Sequence, residues 1–302
     1  MPKIRETGGL LTEKINPKTV DIDTKSTANI VDTIINEDAI INGAILAEKD
    51  SISAAVELIT ESLGIGGRLF FVGAGTSGRL GVIEAAECPP TFGTDPEMVQ
   101  AVIAGGKEAI TSSIEGAEDS REDSVNELKS RSVSSRDIVI GIAASSSTPF
   151  VESAIEYARD INTKTVLITC NPGSFKVPDI TISLLVGPEV IVGSTRLKAG
   201  TATKMVLNML TTASMIRMGK TYGNLMVDVQ PKSSKLRDRA VRIVAELCGI
   251  EKDEAIDLLT SSDWNVKASV VMNKKNMSLK EALGLLEQKK GFLKDALSEK
   301  KD

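Results

Sequence analysis

The chain of 302 residues carries 36 Lys+Arg against 41 Asp+Glu, a formal charge of −5, with 41% apolar and 25% charged side chains. This is globular composition: it excludes general disorder, and the acidic balance excludes binding of nucleic acid through bulk charge. The sequence contains no histidine, which removes imidazole as general base, as partner of a Ser or Cys nucleophile and as metal ligand. Proton transfer must then fall to carboxylate, Lys, Tyr, Cys or water.

The three cysteines, Cys88, Cys170 and Cys248, are widely spaced and form no CxxC pair, so neither a zinc site nor a disulfide framework is expected. No apolar run approaches the roughly 20 residues of a membrane span, and positions 1–19 lack the apolar stretch of a signal peptide. The expectation is a soluble protein of a reducing cytoplasm.

Helical spacing runs from Thr27 to Leu63, with a polar break near Asn36 to Asp38 and a stop at Gly64, Gly66 and Gly67. An apolar run from Arg68 to Val72 meets Gly73-Ala74-Gly75-Thr76-Ser77-Gly78, and helical spacing resumes through Leu80, Ile83 and Ala86 to a predicted end at Cys88-Pro89-Pro90. Further β-rich runs span Val99 to Ala104, Ile138 to Ala143, Val166 to Thr169, where Asn171-Pro172-Gly173 makes the turn, and Ile180 to Val186. Continuous apolar runs of this length fit buried parallel strands. Helices are predicted between them over Ser112 to Lys129 and Val151 to Asp160, giving an α/β fold with a doubly wound five-stranded parallel sheet. A long helix is expected over Leu197 to Gly219, buried around most of its circumference, and three or four short helices follow a polar break at Gln230 to Ser234.

The glycine loop at 73–78 matches G-x-G-x-x-G, which alone is a weak sign of a dinucleotide site. No acidic residue ends the next strand to hold a ribose; Gly105 and Gly106 stand there. The second loop, Ala144-Ser145-Ser146-Ser147-Thr148-Pro149, also follows a strand and opens a helix. Two hydroxyl-rich loops at the carboxyl ends of parallel strands converge at the switch point, where N–H groups, helix dipoles and hydroxyls can cradle a phosphate. Capping by Thr148 or Ser147 is the plainer use of that loop.

Carboxylates follow: Glu84 and Glu87 on the first helix, then Glu115, Glu118 and Asp119 around Gly116, with Glu84, Glu115 and Asp119 expected on solvated faces. A third unusual segment, Gly187 to Thr201, carries Glu189, Ser194, Arg196 and Lys198 at the head of the long helix. Its groups suit either capping or recognition of an anionic or polyhydroxyl ligand.

Several stretches together resemble the sugar isomerase (SIS) domains, and among them the N-acetylmuramic acid 6-phosphate etherases: 69–81, 86–93, 115–121, 193–201 and 222–229. The resemblance spans nearly the whole chain and implies a flavodoxin-like SIS fold. It divides the chain into an N-terminal helical arm (1–54), a sugar-phosphate-binding domain (55–229) and a ubiquitin-associated-like helical module (230–302).

It further implies a lyase that splits the lactyl ether of the 6-phosphorylated sugar without metal or other cofactor, in a cytoplasmic homodimer that binds neither nucleic acid nor membrane. The acid/base roles fall on Glu87 and Glu118. Gly75, Thr76, Ser77, Ser145, Ser147 and Thr148 are the candidates for the phosphate, and Arg79, Glu189, Ser194, Arg196 and Lys198 for the rest of the substrate. One departure stands out: Ser146-Ser147 replaces the Gly-Arg expected in the second loop, exchanging a cation for a hydroxyl, with Arg79, Arg196 or Lys198 as candidate substitutes. The competing readings are a sugar-phosphate isomerase and a non-catalytic sensor similar to glucokinase regulatory proteins; a dinucleotide enzyme comes last.

Overall fold

The computed structural model describes residues 9–172 and 178–298; Gly173, the first eight positions of the arm and the last four of the tail lie outside them. The chain forms two compact units, residues 1–85 with 97–211 and residues 86–96 with 212–302.

The first unit is built on a parallel sheet of β1 (Leu69–Gly73), β2 (Val99–Ile103), β3 (Ile138–Ile142), β4 (Lys164–Thr169) and β5 (Ile180–Ser183), in the order β2-β1-β3-β4-β5. Every residue of β1 and β3 is buried, which is why both read as unbroken apolar runs rather than alternating ones. Phe70 and Val72 face one core with Val102, Val139, Phe150 and Ala154. Phe71, one residue out of phase, points the other way and meets the helix after β1 at Gly81, where an added Cβ would lie 2.9 Å from the Phe71 Cβ. Burying each of these rings contributes roughly 1.5–3 kcal/mol, and together they fix the sheet between two helical layers.

The helices preceding β1 are α1 (Thr27–Asp38), α2 (Ile41–Ala47) and α3 (Lys49–Gly64). Ser26 caps α1 by accepting the Asn29 N–H. Helix α4 (Gly75–Phe92) links β1 to β2, α5 (Arg121–Ser130) precedes β3, α6 (Pro149–Asp160) links β3 to β4, and α7 (Lys198–Arg217) follows β5. Since β2 lies on one side of β1 and β3 on the other, the chain reverses its winding between β1 and β3. Gly73 stands level with Ile103 and with Ile142, so the β1 and β3 loops leave the sheet at one height.

The second unit holds α8 (Ser234–Cys248), α9 (Lys252–Ser261), α10 (Val266–Lys275), α11 (Leu279–Gln288) and α12 (Leu293–Ser298) around Val244, Leu259, Ala268, Val271 and Leu293. Its helix starts are written in side chains: Ser233 caps α8, Asn265 caps α10, and Ser278 with Glu281 forms a capping box on α11.

Four elements differ from the sequence expectation. The segment predicted helical over 112–129 is α-helical only from Arg121; before it, Gly116 leads into a single 3-10 turn, Ala117–Asp119, because glycine there has left-handed φ (+77°). Helix α4 does not stop at Cys88 but continues through Pro89 and Pro90 to Phe92, the prolines costing two N–H groups in the last turns. Helix α7 is less enclosed than its composition suggests, with Met209 39% and Ile216 49% exposed. Among its described residues the tail folds into five helices rather than three or four.

Candidate active site

The glycine pattern at 73–78 is explained by backbone proximity. A Cβ on Gly73 would lie 2.7 Å from the Gly78 nitrogen, and one on Gly78 would lie 2.6 Å from Ile103 Cγ1 and 2.7 Å from Gly73 O. Only hydrogen at both positions lets the first turn of α4 fold back against the end of β1. The helix therefore starts abruptly at the sheet edge, with the N–H groups of its first turn lacking intrahelical acceptors. The second loop enters α6 through Pro149, buried in the first turn.

Between these loops lies a cavity of about 550 Å³. Its hydroxyls come from Thr76, Ser77, Ser145, Ser147, Thr148 and Thr195, and its carboxylates from Glu13, Glu118 and Asp119. No Lys or Arg is among its lining residues. An anion held there is met by hydroxyls and by the N-terminal ends of α4 and α6, which carry partial positive charge. Thr148, the residue before α6, makes no side-chain capping bond, contrary to the capping expected of it, and Ser147 Oγ donates to Ser145 Oγ at 3.4 Å. Ser146 stands in the left-handed region at φ +54° and is buried, a conformation costing a non-glycine residue roughly 1–2 kcal/mol.

The sequence candidates divide sharply. Gly75, Thr76, Ser77, Ser145, Ser147, Thr148 and Glu118 all line the cavity. Arg79, Glu87, Glu189, Ser194, Arg196 and Lys198 do not. The Arg79 guanidinium donates to Ile110 O (3.0 Å) and Ser112 O (2.7 Å), holding the segment that leads to Glu118. Arg196 is exposed and Ser194 half-buried.

Glu189, 1% exposed, accepts the N–H groups of Lys198 (3.2 Å) and Ala199 (2.9 Å), so the N-terminus of α7 takes an anion from the protein itself. Burial pushes the Glu189 carboxyl up from its ordinary range, against the pull of these two N–H groups. Lys198, 1% exposed, donates to Glu37 Oε2 at 2.6 Å. Glu37 also takes Lys18 (3.0 Å) and Asn16 (2.8 Å). Burial pushes the Glu37 carboxyl up, but these hydrogen bonds outweigh it and hold it down at about 2. Glu189 and Lys198 thus anchor α7 and the arm instead of facing the cavity.

Glu84 likewise leaves the solvated face expected for it. It is buried and accepts hydrogen bonds from Asn208 and Thr211 of α7. Glu87 is exposed on α4, eleven residues (87 − 76) beyond Thr76 in the chain. No cluster of His, Cys, Asp or Glu suited to a metal ion occurs among the described residues, and no helix there is long and apolar enough to cross a membrane.

Against known proteins, the chain is 46% identical over 296 residues to the N-acetylmuramic acid 6-phosphate etherase of Clostridioides difficile, covering 97% of both chains. It is 48% identical over 292 residues to N-acetylmuramic acid 6-phosphate etherase 2 of Vibrio cholerae, covering 96% of this chain and 95% of that one. The chain belongs to the N-acetylmuramic acid 6-phosphate etherase family.

Within this etherase-family chain, residues 51–159 match the model of the glucokinase regulatory protein N-terminal SIS domain. The phosphoheptose isomerase of Neisseria gonorrhoeae superposes with a TM-score of 0.48 at 15% identity, covering 62% of this chain and 98% of that one. Three polar side chains of the cavity are not among the sequence candidates: Glu13, Asp119 and Thr195. Thr195 neighbours the candidate Ser194, and the sequence around Asp119 suits a solvated face. Nothing in the local sequence of Glu13 marks it.

Proposed function

We propose that this etherase-family protein is a carbon–oxygen lyase that cleaves the D-lactyl ether of N-acetylmuramic acid 6-phosphate, yielding N-acetylglucosamine 6-phosphate and D-lactate. The observation that carries this reading is the meeting of hydroxyl-rich strand-end loops with the Glu118 carboxylate in one cavity of a chain related to etherases over nearly its full length. The 6-phosphate sits on Thr76, Ser77, Ser145, Ser147 and Thr148 and against the N-termini of α4 and α6.

With the sugar ring opened, the aldehyde at C1 acidifies the proton at C2. A carboxylate takes that proton while the bond from C3 to the lactyl oxygen breaks, and the leaving oxygen is protonated as lactate departs. Water then adds to C3 of the resulting C2–C3 double bond, a proton returns to C2, and the ring closes. The sum is ether plus water giving two alcohols, with no oxidant and no nucleotide. Glu87 and Glu118 divide the proton transfers, Glu87 serving the C2 proton and Glu118 ring opening or the entering water.

A homodimer fits this reading, with Glu87 supplied to the cavity of a second copy. Exposed apolar side chains of the first unit, among them Ile15, Val20, Ile35, Leu46 and Ile191, offer the surface for such pairing. The reaction belongs to breakdown of cell-wall amino sugars in the cytoplasm, a compartment that suits three buried free thiols.

The sensor alternative draws on the match to a regulatory SIS domain. Purified protein incubated with N-acetylmuramic acid 6-phosphate in H₂¹⁸O separates the two. The lyase releases D-lactate and leaves ¹⁸O at C3 of the amino sugar; saturable binding without lactate would establish the sensor instead.

A further inference from the structure

The segment before α1 enters the first unit through one buried amide. Asn171, just beyond β4 and fully buried, accepts the Leu11 N–H (2.5 Å) and the Thr12 N–H (3.4 Å) on Oδ1. Its Nδ2 donates to Ala144 O (2.7 Å) and to Thr12 Oγ1 (3.1 Å). The side chain thus ties Leu11 and Thr12 directly to the second hydroxyl loop. The next residue is Glu13, and it lines the cavity.

Gly193, at a left-handed φ of +75° that favours glycine, borders the carboxylate: a Cβ there would lie 3.1 Å from Glu13 Oε2. The carboxylate makes no hydrogen bond or ion pair with the described residues. Three cations of the arm and α7, Lys18, Lys25 and Lys198, are turned to Glu37, Asp21 and Glu37 respectively. A carboxylate left with acceptor capacity at the wall of a polar cavity asks for donors from whatever fills it. A phosphate is repelled by it and is drawn to the hydroxyl loops, so the donors that reach Glu13 are those of the sugar body.

From this geometry we infer that Glu13 is a further substrate-binding residue, accepting hydrogen bonds from a hydroxyl or amide N–H of the bound amino sugar and so fixing how the sugar lies relative to its phosphate. This rests on the sugar-phosphate reading of the cavity. Asn171 acts as the positioning residue, holding the Glu13 backbone and the Ala144 loop in register.

The test uses N-acetylglucosamine 6-phosphate and inorganic phosphate as separate probes in calorimetry, beside D-lactate release from the full substrate. Glu13→Ala should weaken binding of the amino sugar phosphate by about 10–100-fold, the value of hydrogen bonds to a charged acceptor, and should not weaken binding of inorganic phosphate, which the carboxylate repels. Glu13→Gln, which keeps one acceptor oxygen, should recover part of that loss. Equal weakening of both probes, or weakening of neither, would overturn the assignment. Because the binding arm needs no turnover, absence of lactate from the wild type would count against the lyase reading and leave the Glu13 result standing on its own.

Discussion

The Lys198 ammonium, in the first turn of α7, lies 2.6 Å from Glu37 Oε2 of α1, and the two side chains are 1% and 5% exposed. The same carboxylate meets Lys18, whose side chain is 71% exposed. One buried and one open ion pair thus share an acceptor. Lys198→Ala strips a desolvated carboxylate of its buried partner and should cost about 3–5 kcal/mol, whereas Lys18→Ala should cost no more than about 1 kcal/mol. Urea denaturation of both variants measures the difference; equal losses would mean that burial does not set the strength of these pairs.

The same group gives the protein an acid limb. The folded Glu37 carboxyl sits at about 2, below its ordinary value. A carboxyl lowered on folding contributes stability that is fully present above its unfolded pKa, roughly 4.3, and is lost as pH falls through the folded value. Stability should therefore decline between about pH 4.5 and pH 2, and Glu37→Gln should flatten that stretch of the curve. A variant whose stability falls in parallel with the wild type would show that other carboxylates govern the acid limb.

Thr148 separates a capping role from a ligand role. Its hydroxyl makes no cap to α6, so Thr148→Ala should leave the melting temperature nearly unchanged, where loss of a working cap costs about 1 kcal/mol. It should raise KM for the phosphorylated substrate while leaving kcat largely intact. A lowered melting temperature with unchanged KM would return this hydroxyl to capping.

Glu118 is exposed and makes no ion pair among the described residues, so Glu118→Gln should leave folding untouched and lower kcat for lactate release by about 10²–10⁴-fold, the range for loss of a general acid or base. Turnover at the wild-type rate would remove Glu118 from the chemistry.

Glu87→Gln should be comparably inactive. Co-expressed with a Thr76→Ala, Ser77→Ala chain it should recover activity toward about one quarter of the wild-type level if each cavity draws Glu87 from a second copy, since half the dimers then hold one intact site. No recovery in verified mixed dimers would put both groups in the site of a single chain.

The alternation of buried apolar runs with helical periodicity was enough to read a parallel α/β sheet, because strands covered on both faces leave no polar alternation to confuse the pattern. The two cavity loops are legible for a similar reason: glycine at 73 and 78 and hydroxyls at 145–148 answer to local backbone geometry at strand ends. Segment 112–120 has spacing that suits a helix, but Gly116 turns the chain and presents Glu118 and Asp119 at the cavity wall.

The sequence by itself thus determined the sheet, its switch point and the hydroxyl cradle, all of which depend on neighbours a few residues apart. The tertiary structure alone decided which charges line the cavity. Lys198 and Glu37 are 161 positions apart and Asn171 and Leu11 are 160 apart. Only once the chain had folded could burial turn Lys198 away from the cavity toward a carboxylate, or a single amide deliver Glu13 to it. A charged side chain spends its interaction on whichever partner the fold brings within hydrogen-bond reach, and local sequence does not encode that distance.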